Sequence, residues 1–591
     1  MLLVLLLTLS LIPRLFLLSQ KGFEIFNADH AVFGLMAKHI LEGKWMVYYY
    51  GQGYMGSLEA FMGAFIDLIR GMDLYSVQLA PLAFYLLFLI VNFHLLKKLF
   101  GVEVSLIANL LLALSPPGLT LLSVTALGGY PETLFFGSLI LLGFVLYSES
   151  KNSWVLFSAG LASGIGFWVN NLIVMYLVPI GLFCFLRSKF WKKISVEWNW
   201  RRIFLLEGVN VPLFIRIAAS LIHFGVFLFM VWNAVSFFTG PEISLGGLKV
   251  PMASPPFLIK KIKQMVVTLG IDLIVLSLWA LGPKKIGKKL KPSFPWIMGF
   301  LLGGSPAFLY TIIGGEGYRV IHGSGIVFAK ELPAQFNLVI WQGLVEGIWG
   351  VPVHFLGQGG MRAALAWVVL LLSLGLFIYY CFSYKKEWGN LLRLRPCSYS
   401  YPIFPFLLTI IVLDICLLSN LQAGRYLMPL YFSFAVIFAL ALSGLKRKIG
   451  KICWLMLLFL LAHQGYANFE FIQQIPHRDK IKQGHEAMLQ LLETKGIRGA
   501  YAHYTTSYVL TFQAKEKIIV APYRSPDRYP VYTKSVDQLD RVAYIFQEDD
   551  FFIVPFQKAL DQNKVSYEKI SVEPFWVFII DRTRRTEKGL V

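Results

Sequence analysis

Apolar windows of about 17–23 residues recur about thirteen times along the chain, each long enough to cross roughly 30 Å of hydrocarbon as a helix. They fall near 2–19, 76–96, 103–123, 132–148, 153–171, 172–187, 216–238, 264–282, 294–313, 362–383, 402–419, 426–445 and 452–467. Windows this long and this uniformly apolar predict membrane-spanning helices, because a half-buried globular helix keeps a polar face. Basic residues then fall in every second connection: Lys97 and Lys98; Arg187, Lys192, Lys193, Arg201 and Arg202; Lys284, Lys285, Lys288 and Lys289; Lys385, Lys386 and Arg393; Lys446, Arg447 and Lys448. The positive-inside rule places these connections and the N-terminus in the cytoplasm, and an odd number of spans exports the C-terminus. Lys260, Lys261 and Lys263 interrupt the alternation.

Three external stretches follow: 20–75, 314–361 and everything after about 468. In the first, Val32, Phe33, Met36, Ile40 and Leu41 recur at helical spacing, so His30 to Glu42 reads as an amphipathic helix lying on the membrane surface and ended by Gly43. Ser57 to Arg70 reads as a second such helix. The segment 188–215, with Trp191, Trp198 and Trp200 among basic residues, reads as a cytoplasmic surface anchor. Beyond 468 the apolar runs shrink to strand length. A helix at Glu486–Thr494, strands near Ala500–Ala502, Lys517–Ala521, Val542–Phe546, Val565–Val572 and Phe575–Ile580, and a helix within Asp549–Gln562 predict a small external α/β domain. The expected architecture is a polytopic α-helical transmembrane domain, 1–467, followed by an extracytoplasmic α/β domain, 468–591.

Composition agrees with this class. Of 591 residues, 57% are hydrophobic and 15% charged, and a soluble globule of that make-up would leave too much apolar surface in water. The net charge of +20 raises nucleic acid as a partner, but its basic residues sit in short clusters between apolar runs, so the charge is read as topology. The stretch Leu2–Ser19 lacks a basic flank and a small-residue cleavage site, and reads as a retained first helix. The five cysteines, Cys184, Cys381, Cys397, Cys416 and Cys453, avoid the long external segments, and no HExxH or CxxC spacing occurs. Neither a metal site nor another cofactor is expected.

The chemistry-bearing residues concentrate in the polar, glycine-punctuated loop after the first span. Asp29 has two readings. It caps the helix that follows, or it serves as a general base at the membrane surface. Tyr54 lies between Gly53 and Gly56 in the run Tyr50-Gly51-Gln52-Gly53-Tyr54-Met55-Gly56-Ser57-Leu58-Glu59, where small neighbours let a substrate approach the backbone. Glu59 and Glu132 are read either as hydrogen-bond partners for sugar hydroxyls or as partners of a buried arginine. Arg425 either neutralises an anionic ligand or snorkels at a helix end. Arg14, inside the first helix, either faces the same cavity or reaches the interface, and Arg319 is a further candidate cation in the second external loop.

Three patches resemble the GT-C superfamily of integral-membrane glycosyltransferases, in particular the bacterial branch with protein O-mannosyltransferases and the lipid A aminoarabinose transferase. They are Asp29 with its helix and the Tyr-Gly-Gln-Gly-Tyr-Met-Gly-Ser-Leu-Glu-Ala continuation, Gly128-Gly129-Tyr130-Pro131-Glu132, and Gly424-Arg425-Tyr426-Leu427-Met428-Pro429-Leu430-Tyr431. Where that family often has Asp-Glu, this chain has Asp29-His30. The resemblance implies inverting transfer of a sugar from a polyprenyl-phosphate carrier to an acceptor hydroxyl on a glycan, lipid or protein outside the membrane. It implies Asp29 as the base, with Arg425 and further cations on the carrier phosphate. A lipid-linked-sugar flippase or transporter is the competing reading; it calls for duplicated halves and helices broken at the midplane, and the sequence shows no such duplication.

Overall fold

The computed structural model describes residues 1–23, 28–187, 242–245, 248–251, 293–313, 339–357, 360–392, 424–475 and 479–582. Among them, five helices are long and apolar enough to cross a bilayer: Leu74–Phe100, Tyr130–Ser150, Met361–Ser383, Arg425–Ile449 and Ile452–Gln474. A bent pair of apolar helices, Phe294–Gly303 meeting Ser305–Ile312 at 64° where Gly304 and Pro306 interrupt the ladder, is long and apolar enough as a unit to be a broken span or a re-entrant loop. The protein is a multi-pass helical membrane protein. The windows expected at 216–238, 264–282 and 402–419, the surface helix at 188–215, and Arg319 lie outside the described residues.

In the membrane part we label α1 (Leu2–Leu18), α2 (Ala28–Leu41), β1 (Tyr48–Tyr49), β2 (Gln52–Gly56), α3 (Leu58–Arg70), α4 (Leu74–Phe100), α5 (Val102–Ala113), α6 (Tyr130–Ser150), α7 (Ser153–Val169), α8 (Met428–Ile449) and α9 (Ile452–Gln474). Helix α8 is apolar all round and 89% of its spanning window is buried, against 33% for Met361–Ser383, so α8 forms the middle of the bundle.

The window expected as one span at 103–123 is instead broken after Ala113. Pro116 and Pro117 have no N–H to return to the carbonyls of Leu112 and Ala113, four residues earlier. Two buried side chains replace the missing donors: the Tyr85 hydroxyl donates to Leu112 O at 2.7 Å, and Arg14 Nη1 donates to Ala113 O at 2.9 Å. Arg14 also donates to Ser10 O, Ser123 Oγ and Ser115 Oγ at 2.7, 2.8 and 3.0 Å, and its guanidinium sits 4.1 Å from the Tyr85 ring. An intramembrane arginine is thereby satisfied entirely by protein.

Helix α2 departs from the surface-lying helix expected at His30–Glu42. It is buried on nearly every side, because α3 and α4 cover one face and a helix from the C-terminal tail covers the other. Gly43, at φ +81°, ends it as expected.

The tail adds α10 (Asp479–Thr494), β3 (Gly499–Ala502), α11 (Tyr504–Gln513), β4 (Ile519–Pro522), α12 (Pro530–Asp537), β5 (Arg541–Gln547), α13 (Ile553–Gln562), β6 (Tyr567–Val572) and β7 (Phe575–Asp581). The sheet order is β4-β3-β5-β7-β6, with β4, β3 and β5 parallel and β7 antiparallel to both β5 and β6. Its core gathers Leu492, Ala500, Leu510, Val520, Ile545 and Val577. A second cluster joins the tail to the first loop, packing Tyr508, Val509, Phe512 and Tyr532 against Val32, Phe33, Met36 and Tyr49.

His485 of α10 lies buried on Phe575, ring centroids 5.5 Å apart, with no hydrogen-bond partner at either nitrogen among the described residues. Burial pushes it down to about 4. A histidine depressed on folding favours the folded state fully above its unfolded value, near 6.5, and that contribution is lost as pH falls toward 4. The unfolding midpoint of the tail should therefore drop between about pH 7 and about pH 5, and His485→Phe should flatten that part of the profile. Identical profiles for the two proteins would remove His485 as the cause.

Candidate active site

Asp29 occupies the first turn of α2. The hydroxyls of Tyr49 and Tyr504 both donate to its Oδ1, Tyr49 at 3.0 Å, and Arg528 Nη2 lies 3.8 Å from the same oxygen. Burial is the main reason that Tyr49 and Tyr504 are pushed up, with the Asp29 charge adding to it, so both phenols stay protonated and act as donors. Tyr504, the first residue of α11, and Arg528, from the loop after β4, come from the tail, 475 residues beyond Asp29 in the case of Tyr504. Nothing in the sequence near either residue marks it; a donor set assembled across that separation is visible only in three dimensions.

The β1–β2 hairpin forms the next wall. Gln52, with its amide oxygen turned toward Arg528, accepts from Nη1 and Nη2 at 2.5 and 2.6 Å, and its nitrogen reaches the Tyr54 hydroxyl at 3.2 Å. Tyr54 is pushed up chiefly by burial, and the charges of Arg425, Arg528 and Asp29 all act on its hydroxyl, which places it among the three. Arg425 opens the α8 span. Its guanidinium lies 5.6 and 5.5 Å from the rings of Tyr130 and Tyr426, and its Nε is buried with no hydrogen-bond partner among the described residues. A buried guanidinium donor without an acceptor costs roughly 1–3 kcal/mol or more, and an anionic ligand would satisfy it.

Glu59 faces a different task. Its Oε2 accepts from the backbone N–H groups of Gly128 and Gly129, both at 3.0 Å. These glycines sit at φ +96° and +80°, a pair of left-handed positions that turns consecutive N–H groups toward one anion. Glu59 thereby fixes the turn that starts α6. Glu132, in the first turn of α6, is fully buried beside Glu59, and neither of its carboxyl oxygens nor Glu59 Oε1 has a hydrogen-bond partner among the described residues. Burial, with the neighbouring Asp29 charge adding to it, pushes Glu59 up to about 7, against the two backbone bonds, which favour its ionised form.

The structure thus brings Asp29, Tyr54 and Arg425 together, sets Glu59 and Glu132 behind them, and places Arg14 at the α5 break. Among the described residues, one group of potential metal-binding side chains occurs, His39, Glu42 and Glu516. Lys38 bridges both carboxylates there, while His39 Nε2 meets Glu516 at 2.9 Å and the Tyr532 hydroxyl donates to Glu516 at 2.6 Å. Those bonds make the group a latch between α2 and the tail.

Solved structures similar to this chain include the Archaeoglobus fulgidus oligosaccharyltransferase in complex with Zn and sulfate, at 12% identity and TM-score 0.46, with 96% of this chain and 72% of that one covered. The oligosaccharyltransferase AglB from the same organism, in complex with an inhibitory peptide and a dolichol-phosphate, is similar at 13% identity and TM-score 0.44, covering 98% and 75%. ArnT from Cupriavidus metallidurans bound to undecaprenyl phosphate is similar at 12% identity and TM-score 0.37, covering 98% and 97%. No protein-family model and no curated protein matches the sequence.

Gly51 ties the hairpin to the tail. It turns at φ +69°, and a Cβ there would meet the Arg528 Cα at 3.0 Å and its carbonyl oxygen at 3.2 Å. Gly51→Ala should strain the turn and push Arg528 off Gln52 and Asp29, lowering turnover at least tenfold (roughly 1.4 kcal/mol) while the protein still inserts and unfolds near its normal temperature. Unchanged turnover in membranes carrying the variant would show that Arg528 does not act at Asp29.

Proposed function

We propose that the protein is an inverting membrane glycosyltransferase that moves a sugar from a polyprenyl-phosphate carrier to an acceptor hydroxyl at the extracytoplasmic face of the plasma membrane. The observation that carries this reading is the convergence of one carboxylate, Asp29, with Arg528 and with Arg425, whose buried Nε has no partner among the described residues and which stands at the start of a membrane span. A lipid phosphate anchored in the bilayer presents its charge at that level, and a planar guanidinium matches phosphate oxygens in pairs.

In this mechanism the acceptor oxygen attacks the anomeric carbon while Asp29 takes its proton. The bond from that carbon to the phosphate oxygen breaks, and its electron pair leaves with the carrier phosphate. A phosphate leaving group needs no proton, so a single carboxylate suffices, and Arg425 and Arg528 offset the charge as it develops. Attack opposite the leaving group inverts the anomeric centre. Tyr54 lines the sugar pocket, and Glu59 and Glu132 hold the wall behind it. Residues 1–467 form the transmembrane catalytic part and 468–591 an extracytoplasmic part that closes over the first loop. A sugar donor, a carrier lipid and an acceptor are the partners; nucleic acid is not.

Mass spectrometry of cell-surface glycans, glycolipids and glycoproteins with and without the gene tests the reading. Loss of one defined sugar is expected, and identical surface profiles would contradict it.

A further inference from the structure

The tail carries a cavity of about 240 Å³, lined in part by His503, Thr506, Arg524, Gln547, Asp549 and Phe551. Its position follows from the topology. From β3 the chain passes to β4 on one side and then to β5 on the other, all three parallel, so the carboxyl ends of β3 and β5 border the point where the winding reverses. Ligands of open α/β sheets bind in that crevice. His503 directly follows β3, and Gln547 ends β5 with Asp549 just beyond.

We propose that this cavity binds a neutral carbohydrate, which makes the acceptor of the transfer described above a glycan; the identification of that sugar as the acceptor rests on the transferase reading, while the binding site itself does not. The lining mixes donors and acceptors, with one arginine against two carboxylates. Arg524 supplies donors, Asp549 acceptors and Gln547 both, a set suited to a polyol's hydroxyls and, with two carboxylates, poorly suited to a phosphate. Asp550 is already committed, its Oδ2 to the Tyr523 hydroxyl at 2.7 Å and its Oδ1 to the Phe552 N–H at 2.9 Å, so it shapes the rim. The Phe551 ring is 72% exposed, its centroid 4.0 Å from that of Phe552 and tilted 35° to it, and it offers a flat apolar face to the C–H side of a sugar ring.

Two connections serve both sites. The first turn of α11, with His503 just before it, sends Tyr504 to Asp29 and His503 and Thr506 to the cavity; the loop after β4 sends Arg528 to Asp29 and Arg524 to the cavity. These shared connections link the cavity to the reacting centre.

Saturation-transfer NMR on the full-length protein in detergent tests the proposal, with methyl glycosides of glucose, mannose and galactose and their disaccharides as probes. Transfer to at least one probe is expected in the unaltered protein and in Asp29→Asn, and its loss is expected in Asp549→Ala and Phe551→Ala, both surface changes that leave the core intact. No transfer to any probe, or transfer that persists in both cavity variants, overturns the site. Transfer abolished by Asp29→Asn alone assigns the sugar to the catalytic centre and overturns it equally. Failure of catalysis with retained binding would instead count against the transferase reading only.

Discussion

Asp29→Asn should leave the protein folded, inserted and able to bind its carrier lipid, and should cut turnover by roughly a hundredfold or more, the usual size of general-base loss. The amide keeps the shape of the carboxylate and can still accept from Tyr49 and Tyr504, so packing between α2 and the tail survives. What it loses is the ability to take a proton. The measurement is transfer by purified protein at saturating donor and acceptor, with donor binding recorded separately. Turnover within a fewfold of normal would return Asp29 to a capping role in α2.

Arg425→Ala should be the second large effect, with turnover down by roughly a hundredfold to a thousandfold, the scale seen when a donor to developing charge is removed. Arg425→Lys should fall between the two, because lysine keeps the positive charge and loses the planar fork. The ordering matters more than either value. If Arg425 only anchors the start of the α8 span, lysine and alanine should insert alike and lower activity little, since no described side chain bonds its Nε. A phosphate role also predicts weaker binding of free polyprenyl phosphate to the alanine variant, measurable without turnover.

These two residues were legible in the chain because each stands at a boundary that hydropathy marks: Asp29 soon after the first apolar window, Arg425 at the start of the twelfth. Local pattern also located most strands of the tail, where alternation and length agree. The stretch Tyr504–Gln513, rich in threonine and aromatic residues, carries weak helix propensity, and it becomes α11 by packing on α2 and β4. The same tertiary contact hides α2 from water and lipid, which its spacing alone cannot foretell. Glu59 was recognisable as a carboxylate in a polar loop, but its partners are two backbone N–H groups created by the Gly128–Gly129 turn, a geometry that no side-chain pattern announces. Arg14 looked functional because an arginine in a helix is costly in lipid; its explanation is two prolines that orphan two carbonyls, one of them 99 residues away in sequence. Arg528 could not be found at all, since its meaning comes only from the tail's position over Asp29.

The most direct test of the central claim is to follow the carrier and the sugar together in one reaction of the purified protein with a polyprenyl-phosphate-linked sugar and a hydroxyl acceptor. Transfer predicts free polyprenyl phosphate released one-for-one with sugar appearing on the acceptor, and inverted at its anomeric carbon. Movement of intact lipid-linked sugar between leaflets, with the sugar–phosphate bond unbroken, would contradict it and identify a flippase instead.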